Sequence, residues 1–598
     1  MPGGGTLRGG CAMSGMPTVT LLSLAPEHHP ASFRFDGFVE EITARTPEEV
    51  VPALKRVEEA AAKGLHAAGF VSYEAAAGLG TGLATHSPGP LPLLWFGVFE
   101  NRLGIAPRLP GADECEAACE TSGWETTLSP EAYQRAVERI REYIAAGDTY
   151  QVNFTFSQRF AFTGDPAAYF GDLCRAQNAP FCAHLDMGRF HLLSASPELF
   201  FELRHGVLTC CPMKGTATRG RWRSEDEQIK ARLAESEKER AENLMIVDLL
   251  RNDLGMVAKT GSVQVDNLFA VETLETVHQM TSTITARMRE GVDLPELFRA
   301  LFPCGSVTGA PKKRSMEIIR ELEDTPRGVY TGCIGHVSPG GEMTFSVAIR
   351  TAVIDTEAGR GELGIGSGVT IGSQAGDEYR ECLAKARFAR ERMPDFHLVE
   401  TMLYEEDKGC FLLDRHLARL FRSAAYFGFT VRLGTITTVL AHRTGSLEGK
   451  HKVRLLLNRR GAFTIETEPL PPPDGVETMI TCFASEAVDS ADPFLYHKTT
   501  HRPLYMQERE RHPDCDDVIF VNERGEVTEA TTANVVARIG GTLVTPPLPC
   551  GLLPGTFREE ILALGQVRER VITREELEHA EDIYLVNSVR QWRWARLA

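Results

Sequence analysis

Lys238-Glu239-Arg240-Ala241-Glu242-Asn243-Leu244-Met245-Ile246-Val247-Asp248-Leu249-Leu250-Arg251-Asn252-Asp253-Leu254 is the stretch from which the fold can be read. Set at about 100° per residue, it places Met245, Ile246, Val247, Leu249, Leu250 and Leu254 on one broad apolar face, so a packed helix is expected. Glu239 and Glu242 fall on that same face, one turn apart. Carboxylates are expensive to bury alone, so the pair points either to a cation or cleft at the helix start or to acids stabilising the helix dipole. Residues 376–393 repeat the arrangement, with Tyr379, Cys382, Leu383 and Ala386 as the apolar stripe and Glu378 and Glu381 beside it. Two such pairs suit a hard cation such as Mg2+, which takes oxygen ligands and keeps open positions for water or substrate.

Outward from these helices, the 598 residues exceed what one core organises, so at least two domains are expected. The helix-like stretch up to 393 stops at Pro394, and Phe396-His397-Leu398-Val399-Glu400-Thr401 reads as a new strand, which puts the junction near 394. The expected domains are 17–394 and 395–598, after a disordered leader at 1–16. Three prolines in Leu470-Pro471-Pro472-Pro473-Asp474-Gly475 separate two lobes within the second domain. Strand-like and helix-like stretches alternate irregularly, so the class is α+β rather than a simple doubly wound sheet.

A net charge of -17 argues against nucleic acid or an anionic membrane as partner. With no apolar run of about twenty residues and no secretion-like start, a cytoplasmic protein is expected. The 14 cysteines are scattered without zinc-like spacing and read as reduced thiols.

Three ordered motifs carry a resemblance: Pro212-Met213-Lys214-Gly215-Thr216, the run from Glu242 through Asp253, and Phe302-Pro303-Cys304-Gly305-Ser306-Val307-Thr308-Gly309-Ala310-Pro311-Lys312. Together with Tyr330, Arg350-Thr351 and Gly364-Ile365-Gly366-Ser367-Gly368, they resemble the chorismate-utilising enzymes. The implied fold is that family's large β-sandwich with outer helices. Within the family, the lysine of Lys214-Gly215-Thr216 is similar to that of aminodeoxychorismate synthase component I, where anthranilate synthases carry a small residue.

The resemblance implies that Lys214 attacks C2 of chorismate as the C4 hydroxyl leaves, and that ammonia then displaces the adduct at C4. A desolvated lysine can supply the neutral amine. Glu198, in Ser196-Pro197-Glu198, matches the acid/base carboxylate near the departing oxygen. Gln151 stands where water-adding relatives carry a base, and glutamine is none, which favours a nitrogen nucleophile. Glu239, Glu242, Glu378 and Glu381 would surround Mg2+, and His278, Tyr330 and Arg350 match positions near the substrate. Gly366, Gly368 and the loop containing Thr308 would let backbone N–H groups approach a carboxylate. No glutaminase-type Gly-x-Cys-x-Gly motif occurs, so a separate glutamine amidotransferase subunit is the expected source of ammonia.

Residues 396–598 resemble class IV pyridoxal-phosphate enzymes, a two-lobed α+β fold, through Glu400-Thr401, His416-Leu417-Ala418-Arg419-Leu420, His497-Lys498-Thr499-Thr500 and Thr528-Glu529-Ala530-Thr531-Thr532-Ala533-Asn534. The resemblance implies that Lys498 holds the cofactor, Glu529 faces its ring nitrogen, and Arg419 and Thr556 hold its phosphate. Thr556 precedes a helix-like stretch whose free N–H groups would meet an anion, a plain capping turn being the alternative. Fusion to an aminating domain points to a lyase that releases pyruvate and p-aminobenzoate, with dimerisation through this domain expected from the family. The rival assignments are an anthranilate synthase-like first domain, and a transaminase or noncatalytic second one.

Overall fold

A computed structural model describes residues 16–25, 31–106, 119–274, 277–391, 394–471 and 478–598. The expected leader falls almost wholly within residues 1–15, and the centre of the proline-rich break within 472–477, both outside the described residues. The chain divides into two compact units, Met1–Thr218 with Lys230–Met393, and Arg219–Ile229 with Pro394–Ala598.

The first unit is built on eighteen hydrogen-bonded strands. One buried cluster, including Val19, Phe35, Phe70, Trp95, Phe99, Leu185, Leu192 and Ile334, is drawn mainly from strands of this sheet. Two larger clusters pack helices on the outer faces. Ile246, Val247, Leu250 and Leu254 lie in one of them, and Cys382 and Ala386 in the other. This is a β-sandwich with outer helices, as the resemblance implies.

The opening stretch forms the helix Glu237–Gly255, with Ser236 as its N-cap accepting from the Glu239 N–H. Its apolar face is buried as the periodicity requires, and Leu244, off that face, is exposed. The helix Ala375–Arg390 buries Cys382 and Ala386 in the same way. The loop motif at 302–312 is tied to the first helix by Lys312, whose Nζ donates to the buried Asp253 carboxylate at 2.7 Å and to the Leu301 carbonyl at 3.0 Å. A buried ion pair with extra hydrogen bonds holds two motifs in one place.

The second unit has two sheets. A four-stranded antiparallel sheet containing Leu398–Glu405 and Lys450–Leu457 packs against the helices Leu413–Phe427 and Leu433–Thr444. An eight-stranded mixed sheet contains Val527–Ala530 and Asn534–Ile539. The short segment Arg219–Ile229 also belongs to this unit, which no sequence pattern announces.

Candidate active sites

In the first unit, Lys214 lies on the strand Met213–Thr218, paired antiparallel with Val277–Arg287. The register slips by one residue between Met213 and Thr216. Such a bulge re-aims a side chain. It is made by Gly215, whose φ of 93° suits glycine and where a Cβ would stand only 3.2 Å from the Cβ atoms of Glu239 and Met280. The bulge therefore lets the strand lie close against the helix carrying Glu239.

Beside it, the strand Gln151–Gly164 pairs with Arg360–Val369, setting Gly368 opposite Asn153 and Gly366 opposite Thr155. A Cβ on Gly368 would lie 2.5 Å from Lys214 Nζ and 2.8 Å from Gln151 Nε2. Lysine amine, glutamine amide and a bare strand backbone thus meet at one point. Gln151 is fully buried, and neither end of its amide has a hydrogen-bond partner among the described residues. An unpaired buried amide costs roughly 1–3 kcal/mol per lost partner, a cost that a bound polar group would remove.

Glu198 is buried and accepts from Ser306 Oγ at 2.6 Å. Burial pushes its carboxyl up to about 7, against the opposing pull of Ser306 and Lys214. Burial also holds the Lys214 amine below its ordinary value, with Glu242 and Glu198 opposing and Lys385 assisting. The site thus combines an acid that keeps its proton near neutrality with an amine that more readily loses one.

The two helices carrying the glutamate pairs lie within electrostatic range of one another. Burial raises Glu239, with Glu381 and Glu378 adding to the shift, and burial raises Glu242, with Glu239 and Glu378 adding. Glu378 accepts from Ser373 Oγ at 2.7 Å, and the half-exposed Glu381 pairs with Lys385 at 2.7 Å. Burial opposes but Lys385 prevails, holding Glu381 below the usual carboxylate range. Among the described residues, no three His, Cys, Asp or Glu side chains gather closely enough to hold a metal ion, so the four act on one another at electrostatic range. The set matches a hard divalent cation in ligand type and sign, because added positive charge would relieve the burial that raises Glu239 and Glu242.

Arg350 adopts a φ of 53°. Its Nη1 donates to the Lys385 carbonyl at 3.0 Å, its guanidinium lies 5.3 Å from the Phe388 ring, and it has no ion pair among the described residues. Burial pulls it down to about 10, with Tyr330 opposing. A half-buried guanidinium without an ion pair among the described residues is a receptor for a carboxylate. Tyr330 packs its ring under Gly364. His278 is buried opposite Ala217, its Nδ1 3.2 Å from Thr273 Oγ1. Thr308 turns its hydroxyl back to the Cys304 carbonyl at 3.2 Å and offers its own carbonyl to the Asn153 N–H at 2.8 Å. Gly366 presents its carbonyl to Lys385 Nζ at 3.2 Å.

In the second unit, Lys498 follows the buried His497, and its carbonyl accepts from the Val399 N–H at 2.8 Å. Burial, then Arg502 and Arg419, push the Lys498 amine down to about 7, with Glu400 and Glu529 opposing. Glu529 accepts from Tyr505 Oη at 2.9 Å, Asn534 Nδ2 at 3.2 Å and the Leu553 N–H at 3.2 Å. Arg419 forks onto Glu400 at 3.0 and 2.7 Å and donates to the Pro554 carbonyl at 3.1 Å. Glu400 also pairs with His416 Nδ1 at 2.6 Å, and His416 Nε2 lies 3.2 Å from Thr556 Oγ1. Thr556 opens the helix Thr556–Ala563, so Arg419 and an N-terminal set of N–H groups are linked through one buried network.

Sequence reasoning did not single out Lys385, Arg502, Tyr505, or the Glu400–His416 support of Arg419. Lys385 stands four residues after Glu381 on a helix, a spacing that brings side chains together. Arg502 and Tyr505 carry no such signal, because it is the chain fold after Lys498 that turns them toward Glu529.

Comparison with known proteins gives the family and the fold. Residues 24–391 match the chorismate binding enzyme family, and residues 397–597 match amino-transferase class IV. An aminodeoxychorismate synthase of Streptomyces griseus is 44% identical over 283 residues, covering 47% of this chain and 39% of that one. The component 1 protein of Bacillus subtilis is 38% identical over 296 residues, covering 49% and 62%. These alignments thus take in between 39% and 62% of the relatives' own lengths. An anthranilate synthase component I from Streptococcus pneumoniae shares the fold, with a TM-score of 0.52 at 24% identity, covering 65% of this chain and 95% of that one. From the match over residues 24–391 and the site geometry beneath it, the chain belongs to the chorismate binding enzyme family.

Proposed function

We propose that the first unit aminates chorismate at C4 through a covalent Lys214 adduct, and that the second eliminates pyruvate from the product to give p-aminobenzoate. The observation that carries the reading is the meeting of Lys214 Nζ, Gln151 and Gly368 beside an acid held at about 7. Glu198 gives its proton to the departing C4 hydroxyl while the Lys214 amine attacks C2. Ammonia then adds at C4 and the Lys214 amine leaves as the double bonds return. Arg350 takes a substrate carboxylate, and the unpaired Gln151 amide orients a polar group of the substrate. Glu239, Glu242, Glu378 and Glu381 would hold Mg2+, which polarises the leaving group and ring carboxylate when bound. The ammonia comes from a separate glutamine amidotransferase.

In the second unit, the half-buried Lys498 with its lowered amine, the buried Glu529 and the Arg419–Thr556 network fit pyridoxal phosphate. That cofactor supplies an electron sink when bound. Lys498 would anchor it and would then move protons between substrate carbons. Glu529, buried and hydrogen-bonded on both oxygens, would serve its ring nitrogen. Arg419, held by Glu400, would hold its phosphate together with the N–H groups following Gly555.

Chorismate, ammonia, Mg2+ and pyridoxal phosphate supplied to wild type, Lys214→Ala and Lys498→Ala test the reading by product identification. Wild type yields p-aminobenzoate, Lys214→Ala loses both products, and Lys498→Ala accumulates 4-amino-4-deoxychorismate. Anthranilate as the main wild-type product sinks the first assignment, and p-aminobenzoate from Lys498→Ala at the wild-type rate sinks the second.

A further inference from the structure

The segment Arg219–Ile229 leaves the strand that carries Lys214 and packs as part of the second unit. There Arg219 forks onto the nearly buried Asp226 carboxylate at 2.9 Å through both Nε and Nη2. Its guanidinium lies 4.5 Å from the Tyr426 ring, and Nη2 donates to the Tyr426 carbonyl at 3.3 Å. Tyr426 in turn stacks on His497, with centroids 4.4 Å apart and planes 29° apart. Two residues on, Arg221 Nη1 donates to Tyr496 Oη at 3.3 Å and to the Ser490 carbonyl at 3.2 Å, and the Trp222 ring lies 5.0 Å from that of Tyr496. The segment therefore grips both residues that precede Lys498.

His497 is held on every side by this arrangement. Its Nδ1 bonds Ser423 Oγ at 2.9 Å, Phe427 meets its edge at 4.8 Å, and the Arg221 backbone faces the ring, although Nε2 has no hydrogen-bond partner among the described residues. Burial keeps the imidazole down to about 3, so it is neutral and acts by packing. Among the described residues, no hydrogen bond or ion pair joins this set to the Lys498 side chain.

We propose that Arg219–Ile229 is a positioning segment for Lys498: Arg219, locked by Asp226, and Arg221 with Trp222 fix Tyr426, Tyr496 and His497, and so hold the backbone that presents the half-buried lysine. The inference rests on reading Lys498 as the cofactor lysine. The charged groups acting on Lys498 are Arg502, Arg419, Glu400, Glu529 and His416, none of them on this segment. A change at Arg219 therefore reaches the amine through packing and water exclusion rather than through direct charge.

The test is competitive acylation of the full chain, freed of cofactor, across pH, with the Lys498 peptide followed by mass spectrometry. Wild type is expected to reach half-maximal labelling of Lys498 near its lowered value of about 7. In Arg219→Ala, water admitted beside the lysine weakens the burial effect. The midpoint should rise by about one pH unit and the free-amine fraction at pH 7 should fall about fivefold. Arg223→Ala, which removes an exposed pair with Glu227 in the same segment, should leave the midpoint unchanged. A folded Arg219→Ala protein with the wild-type midpoint overturns the proposal. If thermal melts show that this variant does not fold, Arg219→Lys and Trp222→Ala decide, and wild-type midpoints in both overturn it equally. Failure of the underlying reading appears separately, as pyridoxal phosphate uptake that is equal in wild type and Lys498→Ala.

Discussion

Replacing Gly368 by alanine tests the first site with little effect on the fold. The new Cβ would stand 2.5 Å from Lys214 Nζ and 2.8 Å from Gln151 Nε2, with the Gln151 carboxamide carbon at 3.2 Å. Non-bonded carbon and nitrogen prefer about 3.5 Å, so both ends must retreat by roughly 1 Å. The obstructing atoms are the tips of two long side chains rather than backbone, and Gly368 does not occupy the left-handed region. Stability should therefore fall by less than about 2 kcal/mol, as for mild overpacking. Displacing the nucleophile by about 1 Å should lower the amination rate constant about 100-fold. The assay is formation of 4-amino-4-deoxychorismate at saturating ammonia, with a thermal melt to establish folding. Release of p-aminobenzoate from supplied 4-amino-4-deoxychorismate serves as an internal control and should be unchanged. A folded Gly368→Ala enzyme that aminates within about twofold of wild type would refute the placement of Lys214 as nucleophile.

Two further expectations concern proton and charge. Because burial raises Glu198 to about 7, its acid form prevails below that pH, and amination should fall about tenfold per unit above it. Glu198→Gln should remove this alkaline limb and lower the rate by about 100-fold or more, which pH–rate profiles of the two proteins would reveal. Glu400 behaves in the opposite sense. Burial opposes ionisation, but Arg419 and His416 prevail and hold it at about 2. Its stabilising contribution is therefore present above the ordinary carboxylate range and is lost as pH falls from there toward 2. Glu400→Gln leaves Arg419 buried without its counter-charge and should cost about 3–5 kcal/mol in denaturant melts of the second unit, while weakening its uptake of pyridoxal phosphate.

Local pattern was enough for the elements that carry the candidate sites. The apolar period over 238–254 specifies a helix and the face it buries, because side-chain direction along a helix is set by local backbone geometry. The same period places Glu239 and Glu242 together, and likewise Glu378 and Glu381. Lys214, Glu198 and Lys498 were legible because each sits within a motif whose neighbours restrict its chemistry. Thr308 was read through the backbone N–H groups of its loop, and its hydroxyl bonds the Cys304 carbonyl.

The sequence by itself determined the two units' classes, the nucleophile candidates and the acidic pairs. Only the tertiary structure decided that Gln151, Gly368 and Lys214 meet, that Ser306 serves Glu198, and that Arg502 and Tyr505 turn toward Glu529. It also decided that residues after Thr218 pack beside Lys498 rather than with the strand they continue. The physical reason is the same in each case. Helical and strand periodicity are properties of neighbouring residues, whereas desolvation, unpaired buried groups and long-range ion pairs depend on what the fold brings against them.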